Sequence, residues 1–116
     1  YPPGYLGQIE GAAIMGLGMA LSEDMPTRQG RYLADNLDQY IIPTLQDVPD
    51  QRVDVLDNTP TTDRFPVRGV GELGIEAVAP AICSAIEAAT GIRVRHLPVD
   101  AGYLLAELCA QEETCS

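Results

Sequence analysis

Positive charge is scarce in this 116-residue chain: seven basic residues face seventeen acidic ones, for a net charge of −10. A surface of that sign opposes both a phosphate backbone and an anionic bilayer, so neither nucleic acid nor a membrane is expected as a partner. Long hydrophobic runs are also missing. The longest stretch without charge or strong polarity, residues 11–21, is far below the roughly 20 apolar residues of a membrane span. Cysteine is limited to Cys83, Cys109 and Cys115, an odd number without the Cys-x-x-Cys spacing of a zinc or iron–sulfur ligand set. That usage reads as a reducing, cytoplasmic setting, with Cys83 as a small buried thiol on an apolar helix. His96 is the single histidine and has no second ligand of its kind to form a metal site.

What remains is one domain's worth of chain, long enough to bury a core but short for a whole cofactor-dependent enzyme. It begins at Tyr1 rather than Met and opens on nothing like a signal peptide, so a fragment or a processed piece is expected. Apolar positions Ile9, Ala12, Ala13, Gly16, Leu17, Ala20 and Leu21 recur at three and four, which predicts a helix over residues 8–23. Gly11, Gly16 and Gly18 cost that helix about 1 kcal/mol each relative to alanine, and close packing against a neighbouring backbone is the expected reason. Residues 25–50, punctuated by Pro26, Gly30, Pro43 and Pro49, read as mostly loop, with a short strand or turn at residues 40–42.

Alternation of Val53 and Val55 with polar neighbours predicts a strand over residues 52–56, ending at Asp57-Asn58-Thr59-Pro60. A second helix takes Pro80 in its first turn, carries Ile82, Ala85, Ile86 and Ala89 on one face and stops at Gly91. Residues 92–97 read as a short strand, and Asp100 caps a last helix through Leu108. Residues 111–116 read as a frayed acidic tail. The elements add up to an α+β fold.

The stretch with chemical content is Pro66-Val67-Arg68-Gly69-Val70-Gly71-Glu72-Leu73-Gly74. Glycine lets a backbone turn sharply and approach a ligand, so the amides of residues 69–72 can line a pocket with Glu72 directed at its contents. Residues 69–74 also satisfy Gly-x-Gly-x-x-Gly, but the preceding Asp63, Arg64, Pro66 and Arg68 make a poor central strand for a dinucleotide site. Glu72 can alternatively be an acid at a helix N-terminus, favoured by the helix dipole. Arg68 lies near enough in sequence to meet an anionic group, although ordinary ion pairs also account for it.

Several separated segments resemble one family. Gly7-Gln8-Ile9-Glu10-Gly11-Ala12 leads into Gly16-Leu17-Gly18, followed by Tyr40-Ile41-Ile42-Pro43-Thr44, Gly69-Val70-Gly71-Glu72 and Ala79-Pro80-Ala81-Ile82. In order and spacing, from about Gly7 to Leu108, these blocks resemble the C-terminal end of the molybdenum-cofactor-binding large subunit of the xanthine dehydrogenase and aldehyde oxidase family. The resemblance implies helices packed on a small mixed sheet, with residues 1–110 the C-terminal portion of a molybdopterin-binding domain.

It also implies that Glu72 is the general base beside molybdenum. Gly69, Val70 and Gly71 pack against that centre and Gln8 hydrogen-bonds the molybdopterin, as such or as its cytosine dinucleotide. The metal is held by the pterin dithiolene and by no side chain of this chain. The implied reaction is hydroxylation of an aldehyde or a purine-like N-heteroaromatic, with water as oxygen source. Implied partners are a small-molecule substrate, the rest of the molybdenum subunit, and [2Fe-2S] and FAD domains or subunits. Alone, the chain is expected to be inactive. The departures are Gln39 where many members carry an acid, and Leu73-Gly74 after the glutamate; both bear on substrate. The rivals are a non-catalytic assembly subunit and a nucleotide-binding module using residues 69–74.

Overall fold

The computed structural model describes residues 1–56, 62 and 69–114. In chain order they form α1 (Pro2–Leu21), β1 (Thr27–Arg28), β2 (Arg31–Tyr32), α2 (Val78–Thr90) and α3 (Ala101–Thr114). The α+β class is as expected. The sheet is a two-stranded antiparallel hairpin rather than a mixed sheet.

Helix α1 begins six residues before the predicted start because Pro2 and Pro3 occupy its first positions, where no amide hydrogen is needed and φ is already helical. It buries Ala12, Gly16 and Ala20, one residue per turn, together with Gly18. Such a flat stripe of small side chains lets α2 come very close. A Cβ built on Gly16 falls 2.5 Å from the Cβ of Val78, and one on Gly74 falls 2.9 Å from the Cβ of Ala12 and 3.2 Å from the Cα of Ile9. A Cβ on Gly18 would collide with the Glu23 carboxylate and with Pro43, where residues 40–44 cross the end of α1.

Close packing, against side-chain atoms rather than the expected backbone, therefore explains Gly16 and Gly18 but not Gly11, whose added Cβ meets no described residue within 4 Å. Gly11→Ala is expected to stabilise α1 by about 0.5–1 kcal/mol through helix propensity alone. Amide-exchange protection across residues 2–21 of the full-length protein measures it; a loss of protection would show that another part of the molecule covers this face.

Helix α2 opens at Val78 and carries Pro80 in its first turn. Gly91 closes it with φ 72°, its amide donating to the Glu87 carbonyl at 2.8 Å. The Thr90 hydroxyl bonds the Ile86 carbonyl at 2.7 Å and accepts from the Ile92 amide at 3.1 Å, leading the chain into buried Ile92. No residue of α2 is fully buried. Cys83, expected inside, is half-buried, because one side of α2 rests on α1 while the rest of its apolar face stays open.

Asp100 caps α3 as predicted: its Oδ1 accepts from the amides of Gly102 at 2.7 Å and Tyr103 at 3.2 Å. The helix then runs to Thr114, so the tail expected to fray is helical over residues 111–114. The Val99 amide donates to the Ala20 carbonyl at 2.7 Å, tying the approach to α3 to the end of α1.

The two predicted strands are absent, and of the strand or turn expected at residues 40–42 no strand forms. Residues 40–42, 52–56 and 92–97 form no ladder with any described residue. Alternation makes a strand only where a partner strand satisfies its backbone, and none lies alongside among the described residues. The strands that do form flank Gln29 and Gly30, both left-handed at φ 52° and 76°, the geometry of a two-residue hairpin turn. The predicted strand end at residues 57–60 and Pro66 lie outside the described residues.

The core is thin. Among the described residues the buried apolar ones are Ala12, Ala20, Ala34 and Ile92, none large apart from Ile92, while Leu45 and Leu56 are 94% and 86% exposed. The radius of gyration is 18.6 Å, against about 13 Å for a compact domain of this length. Among the described residues no helix is long and apolar enough to cross a membrane.

Candidate functional site

The contact of Gly74 with Ile9 and Ala12 lays residues 71–77, a series of turns, along the N-terminal half of α1. There the Gln8 side-chain Nε2 donates to the Gly71 carbonyl at 2.6 Å, across 63 residues of sequence. On the far side of Glu72 the Ile75 amide donates to the Glu72 carbonyl at 3.2 Å. The peptide before Glu72 is thus fixed by α1 and the one after it by its own turn.

A groove of about 390 Å³ runs along this junction, lined by Gln8, Ala12, Met15, Gly71, Glu72 and Ile75. Three expected site residues, Gln8, Gly71 and Glu72, therefore meet at one place. Gly69 and Val70 are not among the lining residues; Gly69 is exposed and Val70 half-buried. Sequence reasoning misses Ala12, Met15 and Ile75 as lining residues. A signal for two of them is present in the helix period, since Ala12 and Met15 stand four and seven residues after Gln8 on the same face.

Glu72 is exposed, and no ion pair among the described residues engages it. It is not a helix-terminus acid: α2 begins six residues later, and its first turn contains no acidic side chain. Residues 75–77 stand between Gly74 and α2, whereas in a dinucleotide fingerprint the glycines open directly into the helix. Arg64 and Arg68 lie outside the described residues, so an anion partner at Arg68 stays an expectation.

Farther along, Tyr40 of the Tyr-Ile-Ile-Pro-Thr block donates its hydroxyl to Glu23 Oε2. That hydrogen bond, with some desolvation and the nearby Glu23 charge, holds the phenol above its ordinary pKa. Thr44, of the same block, donates both its amide and its hydroxyl to Asp47 Oδ2 at 2.7 Å. Those bonds, the backbone one first, hold the Asp47 carboxyl below its usual range. The Tyr40–Glu23 bond fastens residue 40 to the segment just after α1, and the Thr44–Asp47 bonds close a local turn within residues 44–47. His96 is exposed and lines a separate cavity of about 350 Å³ with Arg95, Asp100 and Tyr103, none of them an expected site residue. Among the described residues no cluster of His, Cys, Asp and Glu could hold a metal ion.

Comparison with known proteins places these residues in a family. The molybdopterin cofactor-binding domain matches residues 2–49. The chain is 44% identical over 104 residues to one subunit of a probable xanthine dehydrogenase of Bacillus subtilis, covering 90% of this chain and 14% of that protein. It is 40% identical over 104 residues to the aldehyde oxidoreductase molybdenum-binding subunit PaoC of Escherichia coli, covering 87% of this chain and 14% of the relative. A membrane-bound aldehyde dehydrogenase of Gluconacetobacter polyoxogenes, whose name carries pyrroloquinoline-quinone, is 40% identical over 98 residues, 84% of this chain and 12% of its own length. The chain thus spans about one seventh of the length of these relatives. A match over 90% of 116 residues necessarily takes in residues 69–74. The chain belongs to the molybdopterin cofactor-binding family of xanthine dehydrogenase and aldehyde oxidoreductase molybdenum-binding subunits.

Proposed function

We propose that this chain supplies the general base and one wall of the cofactor pocket in a molybdenum hydroxylase acting on an aldehyde or a purine-like N-heteroaromatic. The observation that carries the reading is the meeting of Gln8, Gly71 and Glu72 in one groove, from segments 63 residues apart. The residues fit such a group. A Cβ built on Gly69 or Gly71 meets no described residue within 4 Å, so among the described residues the backbone beside Glu72 is open to close approach.

When bound, the molybdenum–pterin group supplies a two-electron redox couple and an oxygen drawn from water. Glu72 would take a proton onto its carboxylate and later return it to solvent. An exposed carboxylate without a competing cation among the described residues suits that exchange. Gly69, Val70 and Gly71 present their backbone to the group, and Gln8 offers the pterin the amide hydrogen and oxygen that its bond to Gly71 leaves over. The cofactor is molybdopterin or its cytosine dinucleotide.

The remainder of the molybdenum subunit completes the pocket, and [2Fe-2S] and FAD units carry electrons away. The thin core and exposed leucines support a chain that packs against further protein. The test is turnover of the full-length complex on aldehydes and N-heteroaromatics in isotopically labelled water. Label in the product supports the reading; product whose new oxygen comes from dioxygen overturns it.

A further inference from the structure

We propose that Gln8 is a positioning residue that aims Glu72 by locking the peptide bond immediately before it; this rests on Glu72 being the base. The Gly71 carbonyl that accepts from Gln8 at 2.6 Å belongs to the same peptide plane as the Glu72 amide nitrogen. Holding that oxygen fixes the plane, and with it the direction from which the Glu72 side chain leaves the backbone. Gly71 has no side chain to restrict its own rotation and no neighbour within 4 Å of where a Cβ would be. Nothing else described at that position restrains the plane from the groove side.

The rest of the segment is already anchored. Gly74 lies against Ile9 and Ala12, and the Ile75 amide bonds the Glu72 carbonyl. Gln8 therefore adds the missing restraint at the loop's leading edge, delivered from a helix of 20 residues. A helix is a better reference than a loop for holding a catalytic carboxylate to within a fraction of an ångström.

The experiment uses the full-length complex carrying Gln8→Ala, Glu72→Gln or both, with turnover expressed per bound molybdenum. Gln8→Ala is expected to lower kcat by about tenfold to a hundredfold with a smaller change in KM. Placed on Glu72→Gln it should cost nothing further, because a residue acting through Glu72 has no effect once the base is gone. Amide exchange should quicken over residues 70–75 in Gln8→Ala and stay unchanged over residues 78–90.

Additive losses in the double variant would overturn the proposal, as would unchanged exchange over residues 70–75. A fall in cofactor content with kcat per molybdenum intact would also overturn it, leaving Gln8 only its hydrogen bond to the pterin. Should Glu72→Gln itself leave turnover intact, the functional reading fails independently of what the exchange data show about Gln8.

Discussion

Glu72→Gln in the full-length protein is expected to lower kcat by about a hundredfold to ten-thousandfold, the usual contribution of a positioned general base. Glutamine keeps the size and the hydrogen-bonding outline of the side chain but cannot take up the proton. Glu72 is exposed, lies outside the first turn of α2, and has no ion pair among the described residues, so folding should change by no more than about 0.5 kcal/mol. Molybdenum and pterin content should match the unsubstituted protein. The measurement is steady-state turnover normalised to bound molybdenum. Intact turnover at full occupancy would assign the chain an assembly role without chemistry.

The second large effect is on the platform beneath the groove. Gly16→Ala is expected to destabilise the α1–α2 pair by about 1–3 kcal/mol, against the direction of the same change at Gly11. The Cβ would sit 2.5 Å from the Cβ of Val78 and 2.9 Å from its Cγ1, so the helices must part. Val78→Ala should not rescue the variant, because it keeps the offending Cβ; Val78→Gly should restore part of the loss. Amide-exchange protection over residues 2–21 and 78–90 measures both. Since α1 carries Gln8 and abuts Gly74, parting the helices also disturbs Glu72, and a fall in turnover should accompany the loss of protection.

All three helices are legible in the sequence because each carries local signals that tertiary structure does not override. Pro80 and Gly91 bracket α2, Asp100 caps α3, and the three-four spacing marks α1. The misses are of two physical kinds. The apolar period of α1 becomes visible only from residue 8, although the helix starts at Pro2, where proline is at home in a first turn; residues 111–116 read as a frayed tail, although residues 111–114 remain helical. Residues 52–56 and 92–97 have the pattern of strands, but pairing is a property of two segments, and one segment's alternation cannot report whether a partner exists.

The hairpin at residues 27–32 has strands too short to show alternation, so Gly30 is its one visible mark. For the site, motif blocks single out Gln8, Gly71 and Glu72. Their meeting is not legible, because it depends on Gly74 seating against Ile9 and Ala12, a contact between segments far apart in the chain.

The most direct test of the central claim is the cofactor content of the native full-length protein, purified from a host able to make the cofactor. Elemental mass spectrometry for molybdenum, fluorescence of the oxidised pterin and a parallel assay for pyrroloquinoline-quinone would be run on the same sample. The groove at Gln8, Gly71 and Glu72 predicts molybdenum and pterin near one per subunit, without quinone. Quinone in place of molybdenum, or neither cofactor at all, would contradict it.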